Sequence, residues 1–167
     1  MVFPGINGFE ITRNDASIEK QNIQIEEARI QKAESIDTYF KARKMPLQGM
    51  GMKMVLEAEK NDLDWRLLPA IAVRESTGGK NLFAKNNPFG WGKKVEFDSF
   101  DTAVEIIAKN LGGNNPKTAH HYDEKTTIEI LHAYNPPSIV PRYAEQVIAI
   151  MNTIGAPDTE PTAVANT

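Results

Sequence analysis

The chain has 167 residues, of which 41% are hydrophobic and 25% charged, and its formal net charge is −3 with a pI near 5.7. This length fits one folded domain with residues left over for an arm or a tail, and the acidic balance argues against a general nucleic-acid-binding protein. Because no cysteine is present, disulfide bonds and thiolate metal sites are excluded. The chain contains no run of about 18 apolar residues, so no membrane-spanning helix is predicted.

The first part of the chain predicts an irregular segment and then a helical arm. Residues 1–13 contain one proline and two glycines and are predicted to be irregular. From Asp15, a suitable N-cap, to about Lys44 the chain has neither proline nor glycine, and apolar residues recur at helical spacing. We predict an arm that docks on a partner protein or on a second copy; a solvated helix with one apolar edge is the alternative. The apolar positions are Ile18, Ile25, Ala28, Ile36 and Tyr39, of which Ile36 and Tyr39 are expected to enter the core together with Phe40.

Two helices are predicted next, after a break marked by the proline and glycines of residues 46–51. The first covers residues 52–60. The second is capped by Asp64 and keeps helical apolar spacing as far as Glu75. Pro69 lies inside this pattern, so the first turn is predicted to be irregular or 3₁₀-like.

Residues 81–99 are rich in turn-forming and aromatic residues. Trp91 and residues 95–97 are predicted to form the two short strands of a small β-hairpin, with Gly92, Lys93 and Lys94 as its turn.

The remaining sequence predicts three helices and a tail. Thr102 and Glu105 match a capping box at the start of one helix, a second covers about 124–133, and the last covers 141–154 with a proline in its first turn. Residues 156–167 are predicted to be a flexible tail. The sequence therefore predicts a mainly helical protein of five or six helices with one small hairpin.

Glu75 is the candidate catalytic residue. Leu68 and Ile71 precede it at helical spacing, so its carboxylate lies on the stripe that is expected to be buried. Burial and the negative end of the helix dipole both favour the protonated carboxyl group, which a general acid needs near neutral pH. An ion pair of Glu75 with Arg74 or Lys80 is the alternative.

Amide and aromatic side chains follow Glu75 at two places. Asn87, Phe89 and Trp91 lie a short distance downstream, and Tyr134 with Asn135 closes a later helix. Sugars are bound by such mixtures of amides and flat aromatic faces. A tight turn with Phe89 in the core, and plain packing of Tyr134, are the alternatives.

Four elements of the sequence occur in an order that resembles a known family. They are residues 68–76 (Leu-Pro-Ala-Ile-Ala-Val-Arg-Glu-Ser), 86–91 (Asn-Asn-Pro-Phe-Gly-Trp), 133–135 (Ala-Tyr-Asn) and 142–144 (Arg-Tyr-Ala) with Val147. Together they resemble the lysozyme-like superfamily over about residues 36–154, in particular lytic transglycosylases and bacterial endo-β-N-acetylglucosaminidases. The family's usual Ala-Tyr-Asn-Ala-Gly is Ala-Tyr-Asn-Pro-Pro here.

The resemblance implies an α+β, lysozyme-like fold around a core helix that ends at the catalytic acid. It implies a catalytic domain over 36–155, preceded by the irregular segment and arm of 1–35 and followed by the tail. It also implies that Glu75 is the catalytic acid with Tyr134 close to it. The substrate-binding residues that it implies are Ser76, Asn87, Phe89, Gly90, Trp91, Asn135 and Tyr143.

The resemblance predicts an enzyme that cuts peptidoglycan glycan strands and needs no cofactor. As a lytic transglycosylase, Glu75 would act first as acid and then as base while the 6-hydroxyl of N-acetylmuramic acid attacks, leaving a 1,6-anhydro end. A hydrolase is the alternative and would use a second carboxylate, for which Glu96 is the candidate, or the substrate's acetamide. A non-catalytic wall-binding or virion structural module is the third interpretation. No metal is predicted, because His120, His121 and His132 lack ligand spacing.

A wall-cutting enzyme acts in the bacterial cell envelope, yet the N-terminal residues lack the basic start and apolar stretch of a secretory signal. Carriage in a phage particle is one hypothesis; a sequence trimmed before expression is the other.

Overall fold

The computed structural model describes residues 7–92, 94–156 and 158, with side chains from Asp15 onward. Within these residues the chain forms seven α-helices and no β-strand, so the predicted mainly helical class is confirmed. The helices are α1 (Asn7–Ala42), α2 (Gly51–Lys60), α3 (Leu67–Ser76), α4 (Phe100–Leu111), α5 (Ala119–Tyr122), α6 (Thr127–Tyr134) and α7 (Tyr143–Ile154).

Helix α1 begins at Asn7, so the prediction of an irregular segment is wrong for residues 7–13. Pro4 precedes the helix and Gly8 lies in its first turn, where a cost of about 1 kcal/mol for glycine does not stop a helix of this length. Residues 15–28 are all exposed. Farther along, Ala33, Ile36 and Phe40 are buried and pack in the core with α2. The arm and the core packing therefore belong to one helix.

Helix α3 runs through the centre of the domain. Its first six residues are all buried, and it packs mainly against α7. Pro69 does not distort its start, because the N–H groups of a helix's first turn have no partner within the helix. Residues 65–66, between the predicted cap Asp64 and this helix, form a turn in which the Leu67 N–H donates to Asp64 O, three residues back, at 2.9 Å, so the predicted 3₁₀-like first turn is confirmed. Glu75 lies in the last turn of this helix, after its six buried residues.

Two helix starts differ from the sequence prediction. Helix α4 is capped by Ser99, whose hydroxyl accepts a hydrogen bond from the Thr102 N–H, so the predicted capping box at Thr102 is wrong. A true capping box instead begins α6, formed by Thr126 and Glu129. The short α5 was not predicted, because four residues are too few to show a helical period.

The predicted β-hairpin is not present: none of the described residues between 91 and 97 is in a strand. The side-chain amide of Asn87 donates to the carbonyl oxygens of Trp91 and Val95, both at 2.8 Å. The amide of Asn86 donates to Phe97 O at 3.0 Å. These side chains occupy backbone carbonyls that a hairpin would use between its strands, so the segment folds as a loop around two asparagines.

Helix α7 begins at Tyr143, two residues after Pro141, which was predicted to lie in its first turn. Arg142 precedes it in the left-handed conformation, with φ of +64°. The helix ends before Gly155, as predicted, and it positions Tyr143 beside the end of α3. Asp158 forms an ion pair with Lys32 of α1 at 3.0 Å, and of the predicted tail only Ala156 and Asp158 are among the described residues. None of the described helices is long and apolar enough to cross a membrane.

Candidate active site

The carboxylate of Glu75 is held by a tyrosine. The Tyr143 hydroxyl donates a hydrogen bond of 2.6 Å to Glu75 Oε1. Glu75 is half-buried, and among the described residues no lysine, arginine or histidine nitrogen lies within 4.0 Å of its carboxylate. The alternative interpretation, an ion pair with Arg74 or Lys80, is therefore wrong. The carboxylate is stabilised by a neutral donor, which leaves its charge uncompensated by the side chains that the structure describes.

Gly90 lies against the second carboxylate oxygen. A Cβ atom added to Gly90 would be 2.8 Å from Glu75 Oε2 and 3.5 Å from Cδ, and the glycine has a φ of +64°. Both the close approach and the positive φ favour glycine over any other residue. Gly90 itself is exposed. A ligand that covers Gly90 is therefore placed next to Oε2, the oxygen that Tyr143 does not bind.

Tyr134 lies in the same cluster but does not contact the carboxylate. Its hydroxyl donates to the backbone carbonyl of Phe89. Its ring is nearly parallel to that of Tyr143, with an interplanar angle of 16° and 6.0 Å between the centroids. The resemblance predicted that Tyr134 lies close to Glu75. In the structure Tyr143 makes the hydrogen bond to the Glu75 carboxylate, and Tyr134 packs beside Tyr143.

Burial raises the pKa of both tyrosines. For Tyr143 the next causes are the neighbouring Tyr134 and then the hydrogen bond to Glu75; for Tyr134 the next cause is the charge of Glu75. Both hydroxyls therefore stay protonated and act as hydrogen-bond donors throughout the neutral range.

Trp91 and Tyr122 extend this aromatic cluster. The Trp91 ring centroid is 5.7 Å from that of Tyr134 and 6.3 Å from that of Tyr122. Trp91 is half-buried, whereas Tyr122 is buried, and burial raises the pKa of Tyr122 to about 12. Sequence reasoning missed Tyr122, because the four-residue helix that carries it shows no apolar period.

Four of the predicted substrate-binding residues are buried, namely Tyr143, described above, and Ser76, Asn87 and Phe89. The Ser76 hydroxyl lies 2.8 Å from Pro88 O and accepts from the Gly79 N–H at 2.9 Å. The Asn87 side chain forms hydrogen bonds with the loop that follows it, and its Oδ1 accepts one from the Trp91 N–H at 3.1 Å. Phe89 is fully buried. In the structure Ser76, Asn87 and Phe89 fix the loop that brings Gly90 against Glu75.

The last two predicted site residues are Asn135 and Glu96. Asn135 is the half-buried residue that ends α6. Glu96 is exposed, and no hydrogen bond between Glu96 and Glu75 occurs in the part of the chain that the structure describes. The structure brings together Glu75, Gly90, Trp91, Tyr134 and Tyr143.

Arg74 is a further charged residue at this site, which the sequence analysis did not propose as a ligand-binding group. Its Nε donates to Gln146 Oε1 at 2.8 Å, and its guanidinium carbon lies 5.5 Å from the centroid of the Tyr143 ring. A guanidinium group is thus anchored on the tyrosine that binds Glu75.

No protein-family model, no curated protein and no solved structure matches this chain.

Proposed function

We propose that this chain is a peptidoglycan-cleaving enzyme of the lysozyme-like superfamily, with Glu75 as its catalytic acid. The single observation that carries the proposal is the position of the Glu75 carboxylate. One oxygen accepts the Tyr143 hydroxyl at 2.6 Å, while the other lies against a glycine at the surface. A half-buried carboxyl group that is held at one oxygen by a neutral donor, with the other oxygen beside an exposed glycine, suits general acid catalysis.

In the proposed reaction, the protonated Oε2 of Glu75 donates its proton to the glycosidic oxygen between N-acetylmuramic acid and N-acetylglucosamine. The bond from C1 to that oxygen breaks as the leaving sugar takes the proton. Tyr143 remains a donor to Oε1 and stabilises the carboxylate that results, since hydrogen bonds to an ionised group are stronger than those between neutral groups. Trp91 is only half-buried, so it offers aromatic surface to a sugar ring.

We further propose the transglycosylase outcome. The 6-hydroxyl of the same muramyl residue attacks C1 and returns its proton to Glu75, so the products are a free leaving sugar and a 1,6-anhydro end, and no water is consumed. This route needs only one carboxylate. The alternative, a hydrolase, needs a group that activates water, and Glu96, which is exposed, is the sequence candidate for it.

The four sequence elements that resemble the family meet at this site, which supports the lysozyme-like assignment. The elements supply the acid (residues 68–76), the loop with Gly90 (86–91), Tyr134 (133–135) and Tyr143 (142–144). An enzyme of this specificity would act in the bacterial cell envelope, and carriage in a phage particle remains part of the proposal.

Glu75→Gln, assayed on purified peptidoglycan, tests the proposal. The amide keeps the shape of the side chain but has no proton of suitable acidity, so we expect cleavage to fall by roughly 10²- to 10⁴-fold. Glu96→Gln is the matched control and is expected to retain parental activity. Glu75→Gln protein that lyses walls as fast as its parent contradicts the enzymatic proposal and favours a wall-binding or structural module.

The mass of the released fragments tests the type of reaction. A transglycosylase leaves fragments that are lighter by one water than hydrolysis products. A free reducing end, together with loss of activity in Glu96→Gln, would instead assign a hydrolase with Glu96 as the second carboxylate.

A further inference from the structure

We propose that Arg74 binds a carboxylate of the substrate beside the bond that is cut, so that the site selects anionic glycan strands over neutral ones. This inference rests on the proposed function. It adds a specificity-determining residue and a substrate class, a glycan whose sugars carry carboxylate groups.

The first argument is the way the guanidinium group is held. Its Nε donates to Gln146 Oε1 at 2.8 Å, and its central carbon lies 5.5 Å from the Tyr143 ring centroid. Because Nε is used by Gln146, the two terminal NH₂ groups remain for a ligand; neither forms a hydrogen bond with the described residues. The terminal nitrogens of a guanidinium group match the two oxygens of a carboxylate.

The second argument is the absence of a protein anion. No carboxylate oxygen lies within 4.0 Å of the Arg74 nitrogens in the part of the chain that the structure describes. The adjacent Glu75 binds Tyr143 instead. By contrast, Arg29 and Arg66 are each paired with an acidic side chain. A half-buried arginine that is positioned but not paired leaves a positive charge available to an incoming anion.

The third argument is location. Arg74 directly precedes Glu75, and its guanidinium group lies against the ring whose hydroxyl binds the Glu75 carboxylate. A carboxylate bound there belongs to the sugar being cut or to its immediate substituent. In peptidoglycan such groups are the lactyl carboxylate of muramic acid, where the peptide is removed, and the carboxylates of the stem peptide. A neutral polymer of N-acetylglucosamine offers none.

Arg74→Gln, compared with parent protein on two substrates, tests the inference. One substrate is native peptidoglycan, and the other is the same material with its carboxyl groups converted to amides. Arg43→Gln is the matched control, because the Arg43 guanidinium carbon also lies over a tyrosine ring, 3.7 Å from the centroid of Tyr39, away from Glu75. Steady-state rates give kcat and KM separately, and thermal unfolding reports folding of each variant.

We expect Arg74→Gln to lower kcat/KM on native peptidoglycan by roughly 10- to 100-fold, mainly through KM, as for the loss of a charged hydrogen-bonded pair. On the amidated material the variant and the parent should have equal kcat/KM, and Arg43→Gln should match the parent on both. An equal loss on both substrates overturns the inference, because Arg74 would then act only by positioning Tyr143. A parent protein that cuts neither substrate overturns the proposed function and this inference with it.

Discussion

Replacing Gly90 by alanine tests whether the loop and the Glu75 carboxylate are matched in shape. The new Cβ would lie 2.8 Å from Glu75 Oε2, whereas ordinary contacts begin at 3.4 Å, so the oxygen must retreat by about 0.6 Å or the loop must move by the same amount. Either shift misplaces the acid relative to a bound sugar. Since a displacement of about 1 Å can cost roughly 10²-fold in rate, we expect activity to fall by about 10-fold or more.

The same substitution also strains the backbone. At a φ of +64° alanine costs about 1–2 kcal/mol relative to glycine, so some loss of stability is expected whatever the carboxylate does. Gly92→Ala separates the two effects, because Gly92 has a φ of +62° and its added Cβ would meet a methyl group of Val95 at 2.7 Å. Both variants should lose similar unfolding free energy.

Peptidoglycan cleavage is measured by loss of turbidity and by released fragments, and stability by chemical denaturation. Gly90→Ala should lose activity well beyond the loss in Gly92→Ala. If the two variants are equally active and equally destabilised, the contact between Gly90 and Glu75 is not what positions the acid, and the reasoning is refuted.

Two further predictions concern stability. Ser76→Ala leaves the Gly79 N–H and the Pro88 carbonyl without their buried partner, so we expect a loss of about 1–3 kcal/mol in chemical denaturation. The exposed Ser138→Ala should change by less than about 0.5 kcal/mol; equal effects would contradict the structural role of Ser76. Burial raises the pKa values of Tyr122, Tyr134 and Tyr143 in the folded protein. Their contribution to the free energy of unfolding is therefore fully present below about pH 10 and falls as the pH rises above it, because the unfolded chain then releases protons that the folded chain retains. Each tyrosine contributes up to about 1.4 kcal/mol per pH unit, so urea unfolding at pH 9, 10 and 11 should show a steep decline that Tyr122→Phe reduces; a flat profile would show that these side chains are not buried in solution.

The sequence singled out Glu75, the proposed acid, because one carboxylate interrupts an otherwise apolar helical stripe. Such a break in periodicity depends only on local spacing, and the structure places Glu75 at the end of a buried helix as expected. The choice between the two tyrosines depends on distance in space rather than in sequence. Tyr134 and Tyr143 belong to different helices, and no local pattern shows which hydroxyl reaches the carboxylate.

Two of the errors share one cause, which is side-chain hydrogen bonding to the backbone. The turn residues between Trp91 and residues 95–97 favoured a hairpin, but the amides of Asn86 and Asn87 bind the carbonyls that its strands would need. In the same way Ser99 accepts the N–H of Thr102 and moves the start of α4 three residues upstream of the predicted cap. Helix propensity and apolar periodicity do not account for these hydrogen bonds. The bonds depend on which side chain lies within reach of a given backbone carbonyl or N–H group.

The continuity of α1 has a consequence for any surface on which the protein is mounted. The helix has 36 residues, which corresponds to a rod of about 54 Å, and no proline interrupts it between its exposed portion and the buried Ile36 and Phe40. A partner that binds residues 15–28 is therefore coupled to the rest of the domain through one uninterrupted helix, with no hinge between them. The orientation of α1 on that partner determines the direction in which Gly90 and Glu75 face.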